Sequence, residues 1–351
     1  MRLAGVSRVC IVESGRGTSP VGESIPPDTR LLLQGLRLWD AFADEGHDPC
    51  PGSCSAWGNP TLGYNDFLLN PYGNGWHLDR RRFDAFLFNG AIAAGVHVMV
   101  GTPVRACEVV SNSLVELYVG GAPRPLTTRF AVDATGPRSV IARLFGARPL
   151  FLDRLACTYG FFDTAEATSQ SRMTLLEADE AGWWYLARLP DGRLAAAFAT
   201  DPAIVQTEKL ADPSSWLARV LRTRHVAQRL DGCRFLPDTL VVRLAPSFRL
   251  DHVAGDCWLA VGDAAAAYDP LAAQGIYKAL EDGVEAAKAI AAKLQDGADS
   301  IPAYAGAVID RFEEYRTNRN HFYGLEARWP DAPFWKQRRE RTDLQTPTLG
   351  P

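Results

Sequence analysis

The feature that most constrains the fold is the segment LAVGDAAAAYDPLAAQGIYKALEDG, residues 259–283. Its apolar start, small-residue loop and long amphipathic end are typical of a strand, a tight loop and a helix. The strand is expected to end at Gly262 and Asp263, where a short carboxylate can accept hydrogen bonds from sugar or polyol hydroxyls. The segment therefore predicts an α/β domain with a ligand site at a strand end.

The second half of this segment predicts that the ligand carries negative charge. Asp269-Pro270 turns the chain, and the next helix is expected to begin near Gly275 and Ile276 with its backbone N–H groups exposed. A helix start of this kind stabilises negative charge. An ordinary strand, turn and helix would explain Asp263 or Pro270 singly, but it does not explain both at this spacing.

The composition is that of a soluble globular protein. The 351 residues are 47% hydrophobic and 22% charged, enough for one large or two modest domains. A net charge of −4 gives no electrostatic case for binding nucleic acid or an anionic membrane. No signal peptide and no uncharged stretch of about 18 apolar residues is present, so we expect a cytoplasmic protein without a transmembrane segment.

The cysteines give no metal site. Seven are present, and only Cys50 and Cys54 lie close together, without a second pair or a histidine cluster. We expect free thiols in a reducing compartment and no bound metal.

The pattern along the chain predicts two interleaved domains and a tail. Helical spacing over 28–44 and 80–94, with apolar strands over 6–13 and near 100, is typical of an α/β domain. From 155 to 245 the pattern changes to alternating, aromatic-rich strands with a hairpin turn at Asp191-Gly192, which predicts an inserted antiparallel sheet. The predicted boundaries are 1–48, 77–150 and 254–300 for the α/β domain, 49–76 and 151–253 for the inserted substrate domain, and 301–351 for a helical tail.

The segment 259–283 resembles the second FAD-binding motif of flavoprotein monooxygenases, tryptophan-halogenase-like enzymes and geranylgeranyl-reductase-like enzymes. This resemblance implies a glutathione-reductase-like FAD-binding Rossmann-type domain. It also implies that Asp263, after Gly262, binds the flavin ribityl chain and that Pro270 turns the loop. The N–H groups of Gly275 and Ile276 would then lie against the flavin ring. One departure is Ala272, where many relatives have Gly or Ser.

Four further segments resemble the same families, in the same order, over roughly residues 1–340. VGESIPP at 21–27 is similar to a segment of the tryptophan-halogenase-like branch. The resemblance implies that Arg80 of GWHLDRRRFDAFL contacts FAD and that Val104 of GTPV contacts adenine. It likewise places Thr135 and Gly136 of AVDATGPRS on the adenosine side. Glu13 fits the acid that binds the adenosine ribose, although a solvated carboxylate at a strand end would look the same.

The opening MRLAGVSRVCIVES raises a question about the chain's start. In the resembled families a GxGxxG loop and a first helix precede the strand that ends in the acid. We expect this chain to lack about 25 residues that would hold the pyrophosphate site and a central strand. A late-assigned start codon is favoured over a natural enzyme without the loop.

The fold does not choose the reaction. Halogenation in this group needs a lysine between flavin and substrate and a WxWxIP motif, whereas residues 46–79 contain no lysine and Trp183-Trp184 does not match the motif. A monooxygenase that uses reduced flavin and O2 is therefore preferred, with NAD(P)H or a separate flavin reductase as the electron source. The alternatives are a flavin-dependent dehydrogenase or reductase, a halogenase-like enzyme, and a non-catalytic flavoprotein scaffold.

Aromatic side chains are candidates for a dry substrate pocket. They are Trp57, Tyr64, Phe67, Tyr72, Trp76, Trp183, Trp184 and Tyr185. Each could equally belong to the core of a small sheet. His77 is a candidate general base, or alternatively an ordinary hydrogen-bonded loop histidine. The expected substrate is a small aromatic molecule or one borne by a carrier or partner protein, and the expected state is a monomer or homodimer.

Overall fold

The computed structural model describes residues 1–15, 23–111, 113–164, 171–340 and 343–345. Val21 and Gly22 of the VGESIPP segment and residues 346–351 at the end of the predicted helical tail lie outside these residues.

The described residues form runs of strands separated by helices, with three short helices between the long strands of the middle part and three helices at the end. The strands are β1 (Cys10–Glu13), β2 (Ser24–Ile25), β3 (Asp48–Cys50), β4 (Gly52–Ala56), β5 (Gly63–Asp66), β6 (Gly75–His77), β7 (His97–Val100), β8 (Val104–Ser111), β9 (Leu114–Val119), β10 (Leu126–Thr128), β11 (Ala131–Asp133), β12 (Pro149–Asp163), β13 (Thr174–Asp179), β14 (Gly182–Arg188), β15 (Leu194–Thr200), β16 (Arg234–Leu250), β17 (Ala254–Gly255), β18 (Trp258–Ala260) and β19 (Ala266–Ala267). The helices are α1 (Thr29–Gly35), α2 (Trp39–Ala43), α3 (Arg80–Ala93), α4 (Val140–Leu144), α5 (Pro202–Thr207), α6 (Pro213–Val220), α7 (His225–Arg229), α8 (Gly275–Asp296), α9 (Ile301–Leu325) and α10 (Pro333–Glu340).

The α/β part contains two parallel strand pairs. β1 pairs with β7, with Cys10 opposite His97, and β11 pairs with β18, with Ala131 opposite Trp258. Among the described residues these pairs belong to separate sheets. The long helix α8 begins beyond β18, and Ile276 and Leu280 in its first half pack on the core formed by α1, α2 and α3. The predicted α/β class is confirmed.

The inserted part is an eight-stranded sheet in the order β19-β16-β12-β15-β14-β13-β4-β5. The hairpin predicted at Asp191-Gly192 joins β14 to β15, with Gly192 at φ 88° and the Leu189 N–H 2.8 Å from the Arg193 carbonyl oxygen. All seven residues of β15 are buried, because both faces of the sheet are covered. β4 pairs in parallel with β13, so the sheet is mixed and not wholly antiparallel as predicted.

Two further sequence predictions of local structure are wrong. Residues 202–229 form α5, α6 and α7 instead of alternating strands, and Asp212 caps α6 by accepting a hydrogen bond from the Ser215 N–H at 2.9 Å. The aspartate-proline pairs that open α5 and α6 are the helix-start signals in this stretch. The single helix predicted over 28–44 is divided into α1 and α2, with Arg37 at φ 60° between them.

The two faces of the large sheet are covered by different elements. The helix-covered face carries Phe162, Trp184 and Phe198 and packs against α5, α6 and α7, with Trp216 of α6 among them. The tail-covered face carries Tyr159 and Trp183 and packs against Tyr323 of α9 and Trp335 of α10. No helix in the described part of the chain is long and apolar enough to cross a membrane.

Candidate functional site

The carboxyl ends of β11 and β18 lie side by side and bring two predicted segments together. The Val261 N–H donates to the Asp133 carbonyl oxygen at 2.9 Å, and Ser139 Oγ donates to the Ala264 carbonyl oxygen at 2.8 Å. The turn that holds Thr135 and Gly136 therefore packs directly on the turn that holds Gly262 and Asp263. This edge is where ligands bind in open α/β sheets.

Gly262 is required by its backbone and its surroundings. Its φ is 57°, and a Cβ at this position would lie 3.2 Å from the Ala279 Cβ in α8. Its N–H donates to Asp282 Oδ2 at 2.9 Å, and Asp282 also accepts from Arg311 Nη2 at 2.7 Å. The turn after β18 is therefore tied to both α8 and α9.

Asp133 orients the neighbouring turn and is a residue that the sequence reasoning missed. It is fully buried; its Oδ1 accepts from the Thr135 N–H at 2.9 Å and from Thr135 Oγ1 at 2.7 Å. Its Oδ2 accepts from the Ala142 N–H at 2.8 Å. The aspartate of the VDATG segment was the signal that could have identified it. Gly136 has a φ of 67°. A Cβ added at this position would have no heavy atom of the described residues within 4 Å, apart from its chain neighbours, so Gly136 faces open space.

Asp263 is held by a buried lysine that the sequence reasoning also missed. Lys278, in the first turn of α8, is 3% exposed, and its Nζ lies 3.1 Å from Asp263 Oδ1. The same ammonium donates to the Ala266 carbonyl oxygen and lies 4.5 Å from the centre of the Tyr268 ring. The Asp263 side chain is 44% exposed, so its carboxylate is anchored on one side and accessible to a ligand on the other.

The start of α8 offers hydrogen-bond donors to a ligand. Its N-cap, Gln274, makes no side-chain capping hydrogen bond, and the first turn contains no acidic residue. Gly275 is exposed. A Cβ added at this position would have no heavy atom of the described residues within 4 Å, apart from the backbone of its own helix and its chain neighbours. The first N–H groups of the helix therefore face a space that an electron-rich group can fill. Ile276 anchors this helix start on the α1–α3 core.

The Asp269-Pro270 turn is fixed by buried hydrogen bonds. Asp269 is 1% exposed; its Oδ1 accepts from the Leu271 N–H at 2.9 Å and its Oδ2 from the Tyr323 hydroxyl at 2.8 Å. Burial raises the pKa of Asp269, and the neighbouring Arg319 opposes that shift. Pro270 opens a short 3₁₀ turn, and Leu271 then packs on the tail-covered face.

Three further predicted cofactor residues lie at the starts or ends of elements. Arg80 is the first residue of α3 and pairs with Asp84 at 3.3 Å. Glu13 is the last residue of β1 and accepts a hydrogen bond from the Gly15 N–H. Val104 begins β8. Contacts of these residues with FAD stay predictions.

The predicted pocket aromatics are distributed over three places. Trp57 and Trp183 lie together on the tail-covered face, with ring centres 6.5 Å apart, and the Tyr185 hydroxyl on that face lies 2.9 Å from Ser24 Oγ. Trp184 lies on the opposite, helix-covered face and stacks on Phe198 with ring centres 4.6 Å apart. Trp76 packs instead on the α1–α3 core. Strand alternation separates Trp184 from its two neighbours.

His77 is fully buried in β6. Its Nε2 lies 2.9 Å from Thr174 Oγ1, at the start of β13. Burial lowers the pKa of His77 to about 4, so the ring is neutral near pH 7. A general-base role for it stays a prediction. Among the described residues no group of three or more His, Cys, Asp or Glu side chains could hold a metal ion.

The residues at this edge fit FAD: an accessible carboxylate, a helix start without a side-chain cap, and glycines that face open space. The fold and site define the class of FAD-dependent oxidoreductases. Within that class, the chain belongs to the tryptophan halogenase family, whose family model matches residues 60–348.

Relatives extend over most of the chain. The sequence is 25% identical over 347 residues to LodB of Marinomonas mediterranea, described as an FAD-dependent oxidoreductase; the match covers 96% of this chain and 92% of LodB. The flavin-dependent halogenase CmlS superposes with a TM-score of 0.85 at 24% identity over 96% of this chain and 64% of CmlS. The peptidyl tryptophan dihydroxylase QhpG superposes with a TM-score of 0.73 at 22% identity over 99% of this chain and 77% of QhpG. These two structures support the fold alone.

Proposed function

We propose that this protein is an FAD-dependent monooxygenase that hydroxylates an aromatic substrate with reduced flavin and O2. The observation that carries the proposal is the tail-covered face. Leu271, from the candidate flavin loop, packs on the same apolar surface as Trp183 and Tyr323. A dry aromatic surface beside the cofactor is what flavin-dependent oxygenation requires, because water must be excluded from the reacting centre.

Within this proposal FAD is held by residues already placed at the two turns and at α8. Asp263 would accept hydrogen bonds from the ribityl hydroxyls, and the N–H groups of Gly275 and Ile276 would stabilise negative charge on the ring. Thr135 and Gly136 would bind on the adenosine side. Glu13, Arg80 and Val104 complete the set that the family resemblance implies. FAD, when bound, supplies the redox chemistry, with electrons from NAD(P)H or a separate flavin reductase.

The chain's own residues position the cofactor and keep water out. Lys278 orients the Asp263 carboxylate, and its positive charge lies beside the helix start. The buried side chains of Trp183 and Tyr323 close the sheet face next to Leu271. We propose that Trp57 and Tyr185 extend this lining and that His77 relays a proton.

The substrate is proposed to be a small aromatic molecule or an aromatic group borne by a carrier or partner protein. QhpG, by its name, acts on a peptidyl tryptophan, which agrees with the second possibility. We further propose a cytoplasmic monomer or homodimer.

Halogenation is the second candidate, and the family membership favours it. Against it, residues 46–79 contain no lysine and the chain has no WxWxIP motif. The buried Lys278 is held by Asp263 and a backbone carbonyl, which leaves its ammonium committed to the loop.

One reaction separates the two candidates. The protein, FAD, a flavin reductase with NADH, O2 and bromide are incubated with a panel of free and peptide-borne indoles and phenols, and the products are weighed by mass spectrometry. The monooxygenase predicts gain of one oxygen atom, with the same yield when bromide is omitted. Replacement of hydrogen by bromine would instead establish a halogenase. Neither product, together with no visible flavin absorbance after gel filtration with FAD, would favour a non-catalytic scaffold.

A further inference from the structure

A group of buried charges joins the C-terminal helices to the large sheet. Arg338 of α10 donates from Nε to Asp153 Oδ2 at 2.8 Å and from Nη2 to Asp201 Oδ1 at 2.7 Å. Arg319 of α9 pairs with the same Asp153. Arg338 and Arg319 are 1% and 4% exposed. Charges this deeply buried are tolerated only when well-placed partners satisfy them, so the group fixes the positions of its members.

The same group reaches the candidate flavin loop. Arg319 Nε lies 3.4 Å from Asp269 Oδ2, and the Tyr323 hydroxyl donates to that oxygen at 2.8 Å. The Asp269 N–H donates to the Tyr315 hydroxyl at 2.8 Å. Three residues of one helix, α9, therefore hold a single turn residue through its carboxylate and its backbone.

Tyr323 also connects this turn to the aromatic surface. Its hydroxyl accepts a hydrogen bond from Trp183 Nε1 at 3.0 Å while donating to Asp269. Burial raises the pKa of Tyr323 well above its usual value, which keeps the hydroxyl protonated as a donor. One side chain thus sets the turn at Asp269 relative to the face that carries Trp183.

We infer that α9 and α10 act as a clamp on the flavin loop, in which Tyr323 and Arg319 are positioning residues that act through Asp269. Five residues separate Asp269 from Gly275, so a shift of the turn displaces the helix start that faces the ligand. The clamp requires no contact between the tail and the cofactor. Its effect on the cofactor rests on the proposed flavin site.

The test compares two buried tyrosines of α9. Tyr323→Phe removes the hydroxyl that bonds Asp269, and Tyr304→Phe removes a hydroxyl that donates to the Ala260 carbonyl oxygen at 2.7 Å. Hydrogen exchange of residues 266–280, followed by mass spectrometry, reports the loop, and an FAD titration reports the helix start. Where Tyr323→Phe does not fold, Arg319→Lys replaces it.

We expect amide exchange in the loop to rise at least fivefold in Tyr323→Phe and to stay within twofold of wild type in Tyr304→Phe. The dissociation constant for FAD should rise at least fivefold in the first variant only. Equal exchange in the two variants would overturn the clamp, and raised exchange with unchanged FAD affinity would overturn its link to the cofactor. If the wild-type chain binds no FAD, the proposed function fails while the exchange comparison still decides the clamp.

Discussion

The two faces of the large sheet are built from the same strands, and both carry ion pairs, but the arginines on the tail-covered face are more deeply buried than Arg219 on the helix-covered face. On the helix-covered face, Trp184, Phe198 and Trp216 pack ring against ring, with a hydrogen bond from Trp216 Nε1 to Thr158 Oγ1 at 2.8 Å. On the tail-covered face, Trp183 shares its covering helices with the buried ions Arg319 and Arg338.

This difference indicates that the helix-covered face is a structural core, whereas the tail-covered face supports the candidate flavin loop. Apolar packing tolerates small shifts, because dispersion and burial have little directionality. A buried ion group has one good geometry, and breaking it leaves uncompensated charge. The tail-covered face adjoins the loop from Asp269 to Ile276, where orientation matters. The helix-covered face lies away from that loop and contributes burial.

The largest expected effect is on the helix-covered face. Trp216 is fully buried, and Trp216→Ala should lower the free energy of unfolding by about 4 kcal/mol, because the cavity cannot fully collapse. Urea denaturation measures the loss. The FAD affinity of the remaining folded protein should stay within twofold of wild type. A tenfold loss of FAD affinity would mean that the helix-covered face supports the site as well.

The corresponding substitution on the tail-covered face is Arg338→Met. It leaves Asp153 and Asp201 without their shared guanidinium, and we expect a loss of about 3 kcal/mol in unfolding free energy. The double variant Arg338→Met, Asp201→Asn removes one of the two carboxylates that lose the Arg338 guanidinium, and it should recover part of that loss in the same denaturation experiment. If the single variant is as stable as wild type, the ion group does not fix this face.

The third prediction concerns His77, where the small sheet of β2, β6 and β3 meets β13. Its pKa is about 4 in the folded chain and 6.5 when unperturbed, so the unfolded chain binds the proton first as the pH falls. The contribution of His77 to stability is constant well above pH 6.5 and falls below it, by about 2 kcal/mol between pH 7.5 and pH 5. His77→Gln should remove that decline, measured by urea denaturation at both pH values, whereas the exposed His321→Gln should retain it. If the free energy of unfolding falls as much between pH 7.5 and pH 5 in His77→Gln as in wild type, the burial of His77 is not the cause of the decline.

The smallest effect is expected at Lys278. Lys278→Met removes the ammonium that orients Asp263, and the dissociation constant for FAD should rise about tenfold, or about 1.4 kcal/mol. Lys288→Met, on the exposed side of the same helix, is the matched control. Fluorescence titration with FAD measures both. Equal FAD affinities of the two variants would mean that the Lys278–Asp263 ion pair stabilises α8 without affecting FAD binding.

The sequence predicted the parts of this molecule that depend on local pattern. The strand, loop and helix over 259–283 and the hairpin at Asp191-Gly192 follow from short-range signals, and the structure has both. The partners of those residues were not predictable. Nothing near Asp269 in the sequence indicates that Tyr323 or Arg319 is its partner. Asp269 and Tyr323 are 54 positions apart, and a hydrogen bond between such distant residues produces no pattern in the sequence.

The assignment of aromatic residues shows the same limit. Composition marks Trp183, Trp184 and Tyr185 alike, whereas alternation along β14 places the middle one on the opposite face. Which face adjoins the site is decided by α9 and α10, far along the chain. The helices over 202–229 were missed because the aspartate-proline starts were outweighed by the surrounding strand-like pattern.

The central proposal is that Asp263 and the start of α8 form a flavin-binding edge, and FAD titration of the purified chain tests it most directly. We predict saturable binding of one FAD per chain, followed by flavin fluorescence, and at least tenfold weaker binding in Asp263→Ala. The exposed Asp256→Ala, in the turn before β18, should bind as wild type does. No FAD binding by wild type, or equal FAD binding by Asp263→Ala and Asp256→Ala, would contradict the proposed flavin-binding edge.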